Sequence, residues 1–359
     1  MGEAPLPREH VLIILNYKLS DSLVEAIRQK FADVECTIFP ATLGSKVPSE
    51  LFRKATILVT YVNLPEPEDA ENLKLVHTFS AGLDHLMNNP ILKSGLIPFT
   101  TSSGIHGPPI AEWTIMNWLV FARNYNVMYE AQKQHKWDKD TPWMQTNYDQ
   151  VGKKVGILGY GSIGRQIARV SQAMGMTVYA YTASPRPTPE SRHDNGFIVP
   201  GTGDPEGTIP VSWHHGTDKS SIHEFLSLGL DHLVVSVPLT PQTTHLLGPE
   251  EFALLAEKSK NPGIKPYLTN ISRGKVLDQD ALIEALKSGQ LGGAALDVTN
   301  PEPLPADHPL WDAPNVQISP HVSGSGREYF WRSLQIVRIN LDRKAKGLPL
   351  INQYGGKGY

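Results

Sequence analysis

Three side chains in the C-terminal third of the chain are of the types that carbonyl reduction needs. They are Arg273 in Asn270-Ile-Ser-Arg-Gly274, Glu302 in Leu296-Asp-Val-Thr-Asn-Pro-Glu-Pro303, and His321 in Ser319-Pro-His-Val-Ser323. A planar guanidinium can bind oxygen atoms through two parallel hydrogen bonds and polarise a carbonyl. An imidazole, with an unperturbed pKa of ~6.5, can hand a proton to a developing alkoxide near neutral pH. A carboxylate beside it stabilises the imidazolium. Upstream, Gly159-Tyr-Gly-Ser-Ile-Gly164 has the spacing of a dinucleotide loop. In such a loop Gly159 allows the tight turn, Gly161 lets a pyrophosphate approach the backbone, and Gly164 lets the following helix pack close to its strand. Free amides at the helix start then face the anion. A nucleotide loop with a cation, a carboxylate and an imidazole reads as hydride transfer to a 2-keto acid. Spacing alone does not bring the three side chains together.

The elements that must position these groups alternate. Short β-rich runs at Val11 to Leu15, Ala55 to Tyr61, Leu75 to Phe79 and Pro98 to Thr101 lie in the first part of the chain. Further runs follow at Lys154 to Leu158, Thr177 to Tyr181, His232 to Val237, Tyr267 to Ile271, Ala294 to Val298 and Val316 to Ser319. Helical patterns separate them, notably Ser20 to Phe31, Ile110 to Gln134, Ile163 to Met174 and Glu328 to Lys344. This rhythm predicts α/β architecture with parallel sheets. A chain of 359 residues suits two domains. We expect two doubly wound domains, a flavodoxin-like substrate domain and a Rossmann nucleotide domain, with a cleft between them. The substrate domain is expected to span 1–103 and 324–359, and the nucleotide domain 104–323. Closure of the cleft would exclude water before hydride transfer. Arg192 to Asp218, dense in Pro, Gly, Ser and His, reads as an irregular insertion after the second nucleotide-domain strand.

Composition removes several classes of function. Charged residues make up 19% and the net charge is -3, so no basic face for nucleic acid is implied. No apolar run reaches the ~18 residues a membrane span needs. No apolar core of signal-peptide length follows Met1, and Pro5 and Leu6 do not supply the usual residues of a myristoylation signal. A cytoplasmic location is therefore expected. The single cysteine, Cys36, reads as a small apolar filler beside a strand. His193, His214 and His215 lack regular ligand spacing, so no metal is expected. The 110–134 helix carries Trp113, Trp118, Phe121, Tyr125 and Tyr129, with Trp137 and Trp143 close behind. Rings in such density need covering, either by a second subunit in a homodimer or within the same chain.

Cofactor choice is legible in Tyr179-Ala-Tyr-Thr-Ala-Ser-Pro-Arg186. An acidic residue that would hydrogen-bond the ribose of NAD is absent at Thr182. Thr182 and Ser184 can donate hydrogen bonds, and Arg186 can add a charge-assisted one to a 2′-phosphate. NADPH is expected over NADH, with NAD use possible.

Nearly the whole chain resembles the D-isomer-specific 2-hydroxyacid dehydrogenases. The matching pieces are Ser80-Ala-Gly-Leu-Asp84, Ala111-Glu112, Val155-Gly-Ile-Leu-Gly-Tyr-Gly-Ser-Ile-Gly164 and Pro238-Leu-Thr-Pro-Gln-Thr243, together with the surroundings of Arg273, Asp297, Glu302 and His321. The resemblance implies reduction of a small 2-keto acid to the D-2-hydroxy acid. His321 would be the acid/base paired with Glu302, and Arg273 the substrate anchor. Backbone at Ser80, Ala81 and Gly82 would take the substrate carboxylate. Asp297, with groups near Ile271 and Ser323, would hold the nicotinamide carboxamide. Ser162, Ile163, Pro238 and Thr243 would complete the cofactor contacts. The Thr182 region and Asp297-Val-Thr-Asn-Pro-Glu-Pro-Leu-Pro305 look like those of glyoxylate/hydroxypyruvate reductases. A rival reading is a nucleotide-sensing interaction protein like the C-terminal-binding corepressors, which also resemble this family. A formate-dehydrogenase-like enzyme would carry glutamine in place of Glu302.

Overall fold

The computed structural model describes residues 9–16, 18–41, 45–137, 142–259 and 263–355. They form two compact units, one of Met1–Ile105 with Arg327–Tyr359 and the other of His106–Gly326.

The first unit holds five strands: β1 (His10–Leu15), β2 (Glu35–Pro40), β3 (Ile57–Thr60), β4 (Leu75–Thr78) and β5 (Phe99–Thr101). All pair in parallel, in the order β2-β1-β3-β4-β5. A strand covered on both faces can be apolar at every position. β1 is such a strand: Val11 and Ile13 join one buried cluster, Leu12 and Ile14 another. The helix Asp21–Lys30 starts where the Ser20 hydroxyl accepts the Leu23 amide, and ends on Arg28 and Lys30, which suit the negative end of the helix dipole. It buries Ile27 on the same face as Leu334, Val337 and Leu341 of the C-terminal helix Glu328–Ala345. That helix is also tied to the sheet by a buried polar group. His77 contacts the hydroxyls of Thr100, Ser102 and Ser333 at 3.0 to 3.1 Å. β2 has no counterpart among the sequence-read strands. As an edge strand with half-buried side chains and a terminal Pro40, it needs no continuous apolar run. Cys36 lies on it, and burial pushes its thiol up to about 11.

The second unit holds β6 (Lys154–Leu158), β7 (Thr177–Thr182), β8 (Ser212–His215), β9 (His232–Val235), β10 (Tyr267–Asn270), β11 (Gly293–Leu296) and β12 (Val316–Ile318). The sheet is parallel throughout, in the order β12-β11-β10-β9-β6-β7-β8. The strand order reverses between β6 and β9, so the loop after β6 opens at a topological switch point, where open α/β sheets bind ligands.

Two expectations need correction here. The segment Arg192 to Asp218 is not wholly irregular: it contributes β8, paired with β7 through Tyr181↔His214. Its sequence, Ser-Trp-His-His, is too polar to read as a strand, and its place at the sheet edge makes that tolerable. The 110–134 helix is two helices, Gly107–Ala122 and Tyr125–Lys133, broken at Asn124, whose φ is +51°. Asparagine tolerates this left-handed conformation better than most residues. The first helix buries Ile115 and Trp118 against the sheet, with Trp118 Nε1 donating to Thr269 Oγ1 at 2.9 Å. The second buries none of its residues.

Candidate active site

The glycine loop follows β6 directly. Gly159 has φ +103°, and a Cβ there would lie 2.5 Å from the Ser236 carbonyl oxygen. A Cβ on Gly164 would meet the Gly159 carbonyl oxygen at 2.6 Å, so helix and turn touch backbone to backbone. At Gly161 an added Cβ meets nothing within 4 Å, which leaves that stretch of backbone open to a ligand. The helix Ser162–Ala173 begins there with no side-chain cap. Its first amides, from Ser162 and Ile163 onward, are therefore placed to face a phosphate. These features fit a dinucleotide pyrophosphate.

The side chains expected to do chemistry leave the same C-terminal edge of this sheet. Arg273 follows β10, Glu302 follows β11 and His321 follows β12, and these strands are in register through Asn270↔Leu296↔Ile318. His321 Nδ1 lies 3.1 Å from Glu302 Oε2, and both side chains are half-exposed. Glu302 Oε1 accepts the Thr299 amide at 3.1 Å, which orients the carboxylate. His321 itself has φ +55°, a conformation unusual for a non-glycine residue and costly unless its surroundings impose it. Asp297 imposes it. Its carbonyl takes the His321 amide at 2.9 Å, and its buried carboxylate takes the Val322 amide at 2.8 Å, the Ser319 hydroxyl at 2.6 Å, and both the amide and hydroxyl of Ser323. Besides the nicotinamide contact expected of it, the Asp297 carboxylate is the hub of the loop that carries His321, a role no sequence signal announced.

Arg273 sits in a turn closed by Asn270, whose Oδ1 accepts the Ser272 amide and hydroxyl and whose Nδ2 donates to the Arg273 carbonyl. Its guanidinium Nη1 donates to the Ser272 carbonyl at 2.8 Å. The next residue, Gly274, presses against the neighbouring loop: a Cβ there would fall 1.9 Å from the Thr299 carbonyl oxygen. The Arg273 turn and the segment that carries Glu302 are thus in backbone contact. Ile271 is buried in the core between the sheet and the helix Gly107–Ala122, while the Thr243 hydroxyl donates to the Pro238 carbonyl at 2.7 Å and closes the loop after β9.

In the first unit Ser80, Ala81 and Gly82 follow β4. The Ser80 carbonyl accepts the Ser102 amide at 2.9 Å, and the Ser80 hydroxyl is buried with no hydrogen-bond partner among the described residues.

On the rim beyond β7, Thr182 Oγ1 donates to the Ser184 carbonyl at 2.8 Å, and exposed Arg186 donates through Nη1 to the Ser191 carbonyl at 2.7 Å. Arg165, in the first turn of the helix after the glycine loop, is a buried residue. It is 5% exposed and spends its guanidinium on the carbonyls of Asp204 and Arg192 at 2.5 and 2.6 Å. The three histidines of the 192–218 segment do not form a ligand set: His193 contacts Glu206 at 2.9 Å and His214 contacts Ser212 at 2.9 Å. Among the described residues one group has metal-ligating types close together, His223, Glu250 and Glu251. The Lys219 ammonium already lies 3.3 and 3.6 Å from its two carboxylates.

Fold and site define an oxidoreductase with a nucleotide-binding sheet, and comparison with known proteins gives the family. The NAD binding domain of the D-isomer specific 2-hydroxyacid dehydrogenases matches residues 115–199 and 206–323. The chain belongs to this family. It is 30% identical over 292 residues to the glyoxylate reductase of Thermofilum pendens, covering 81% of this chain and 77% of that one. To the mouse glyoxylate reductase/hydroxypyruvate reductase it is 33% identical over 256 residues, covering 71% and 68%. Among solved structures it is similar to the NADPH-dependent glyoxylate/hydroxypyruvate reductase of Sinorhizobium meliloti, crystallised with NADP and sulfate, at 28% identity, TM-score 0.71 and 97% and 98% coverage. The corepressor-like reading finds no support in these relatives. No helix among the described residues is long and apolar enough to cross a membrane.

Proposed function

We propose that this protein reduces a small 2-keto acid, glyoxylate- or hydroxypyruvate-like or bulkier, to the D-2-hydroxy acid with NADPH. The observation that carries the reading is the His321–Glu302 contact of 3.1 Å on the sheet edge that also bears Arg273 and the glycine loop. Arg273 holds the keto acid and polarises its carbonyl. His321 gives a proton from Nε2 to the developing alkoxide, while Nδ1 faces Glu302, which stabilises the imidazolium before transfer and keeps the ring oriented. Asp297 fixes the loop on which that imidazole rides. The backbone of Ser80, Ala81 and Gly82 is the proposed receiver of the substrate carboxylate. Gly161, Ser162 and Ile163 would hold the pyrophosphate of a dinucleotide, and Pro238, Thr243, Ile271 and Ser323 would line the rest of it; its nicotinamide would supply the hydride.

Preference for NADPH rests on Thr182, where an acidic ribose ligand is missing, and on exposed Arg186 beside it. The bound NADP of the Sinorhizobium relative supports the same choice. A second copy of the chain is the proposed cover for Tyr125, Val127, Met128 and Tyr129, all more than a third exposed, and for Trp137, which is 90% exposed. The Trp143 side chain lies outside the described residues. We place the enzyme in the cytoplasm.

The test is consumption of NADPH and NADH, in parallel, against keto acids from glyoxylate to phenylpyruvate. Turnover with NADPH favoured is expected. Turnover with NADH favoured would remove the cofactor assignment, and tight nucleotide binding with no turnover on any keto acid would remove the catalytic one.

A further inference from the structure

The segment between β7 and β8 is braced against the glycine loop, and the brace ends on the turn that carries Arg186. At the loop end, the Tyr160 hydroxyl donates to Asp204 Oδ2 at 2.8 Å, and Asp204 caps the amides of Thr208 and Ile209. Burial and the Asp204 charge push the Tyr160 phenol up, so it remains a neutral donor. Arg165 lies over the Tyr160 ring at 5.2 Å and over Trp213 of β8 at 5.8 Å, and grips the Arg192 carbonyl. The Arg192 side chain continues the chain of contacts. Its guanidinium lies 5.7 Å over Trp213, and its Nε donates to the Arg186 carbonyl at 3.0 Å. Arg186 in turn reaches back to the Ser191 carbonyl, in a short helix, Pro189–Arg192, closed by a Thr188–Ser191 capping box.

Residues 183–190 are all exposed, so no buried side chain anchors this turn to the sheet. Its main chain is held at Arg186 by Arg192, whose own main chain is held by Arg165. We infer that Arg192 is a positioning residue for cofactor discrimination: it sets the Arg186 turn, and acts on the 2′-phosphate of NADPH only through Arg186. The inference rests on the proposed role of Arg186 and extends it to a residue and a segment outside the contact set.

The experiment is fluorescence titration of the full chain with NADPH and with NADH, for Arg186→Ala, Arg192→Met, Arg192→Lys and the double variant Arg186→Ala/Arg192→Met. Loss of a charge-assisted bond to phosphate in Arg186→Ala is expected to weaken NADPH binding about tenfold and leave NADH within about twofold. Arg192→Met removes one hydrogen bond and one stacked cation, and is expected to weaken NADPH about three- to tenfold, again sparing NADH. In the double variant the NADPH/NADH ratio is expected to equal that of Arg186→Ala alone, because residues acting as one unit are not additive. Arg192→Lys keeps the charge without the Nε donor and is expected to behave like Arg192→Met. Multiplying effects in the double variant, or full rescue by lysine, would make Arg192 a direct phosphate ligand and overturn the inference. Equal weakening of both nucleotides by Arg192→Met would reduce it to a structural residue and overturn it as well. An unchanged ratio in Arg192→Met, with Arg186→Ala shifted, would sink the coupling alone. An unchanged ratio in Arg186→Ala would remove the Arg186 reading, and the inference with it.

Discussion

Gly274→Ala is a demanding test of how the Arg273 turn is held. The added Cβ would stand 1.9 Å from the Thr299 carbonyl oxygen, 2.0 Å from its carbon and 2.6 Å from the Asn300 nitrogen. Carbon–oxygen contacts rarely close below roughly 3.3 Å, so one of the two segments must retreat by about 1.4 Å. Both obstructing groups are backbone, and no side chain can rotate aside. If the first segment moves, Arg273 moves with its neighbour. If the second moves, Thr299 takes Glu302 along, because its amide is bonded to that carboxylate. Misplacement of about 1 Å is worth roughly a hundredfold in rate, or about 2.7 kcal/mol of barrier. The glycine loop lies away from this contact, so NADPH affinity should change by less than about threefold. The assay is kcat for keto acid reduction, followed by loss of NADPH absorbance, beside nucleotide titration and a thermal melt. A kcat within about threefold of wild type, in a protein that melts normally, would refute the claim that the two loops brace one another.

Other outcomes follow from the same geometry. His321→Ala and Arg273→Ala should each lower kcat/KM by about two to four orders of magnitude while leaving nucleotide affinity nearly intact; near-normal turnover in either would contradict their roles. His77 and His232 are 0% and 1% exposed, and burial pushes both down to about 3. Each stays neutral when folded but takes a proton when unfolded below ~6.5, so the unfolded state binds more protons and stability falls as pH drops from 6.5 toward 3. At pH 4.5 this amounts to about 2–3 kcal/mol per histidine, and a denaturant midpoint unchanged between pH 7 and pH 4.5 would contradict it. Tyr129→Glu together with Met128→Lys should lower the apparent mass in solution, and a mass unaffected by these charges would move any dimer interface off that helix.

The sequence by itself determined the parts of this protein whose physics is local. Val11 to Leu15 and His232 to Val235 are apolar at nearly every position because buried parallel strands permit it. Gly159 and Gly164 of the dinucleotide loop are legible because no other residue fits where a Cβ would lie 2.5 or 2.6 Å from a carbonyl oxygen. The types of Arg273, Glu302 and His321 announced their chemistry before anything placed them. What only the tertiary structure decided are the relations between distant segments. β2 and β8 were hidden because an edge strand needs little apolar surface. The break at Asn124 was hidden because the aromatic density of the 110–134 segment does not say which rings meet a sheet. Asp297 as the hub of the His321 loop, and Arg165 and Arg192 as struts, could not be read because a charge in a sequence carries no direction. A buried guanidinium or carboxylate must find partners, and the folded chain alone brings those partners within hydrogen-bonding reach.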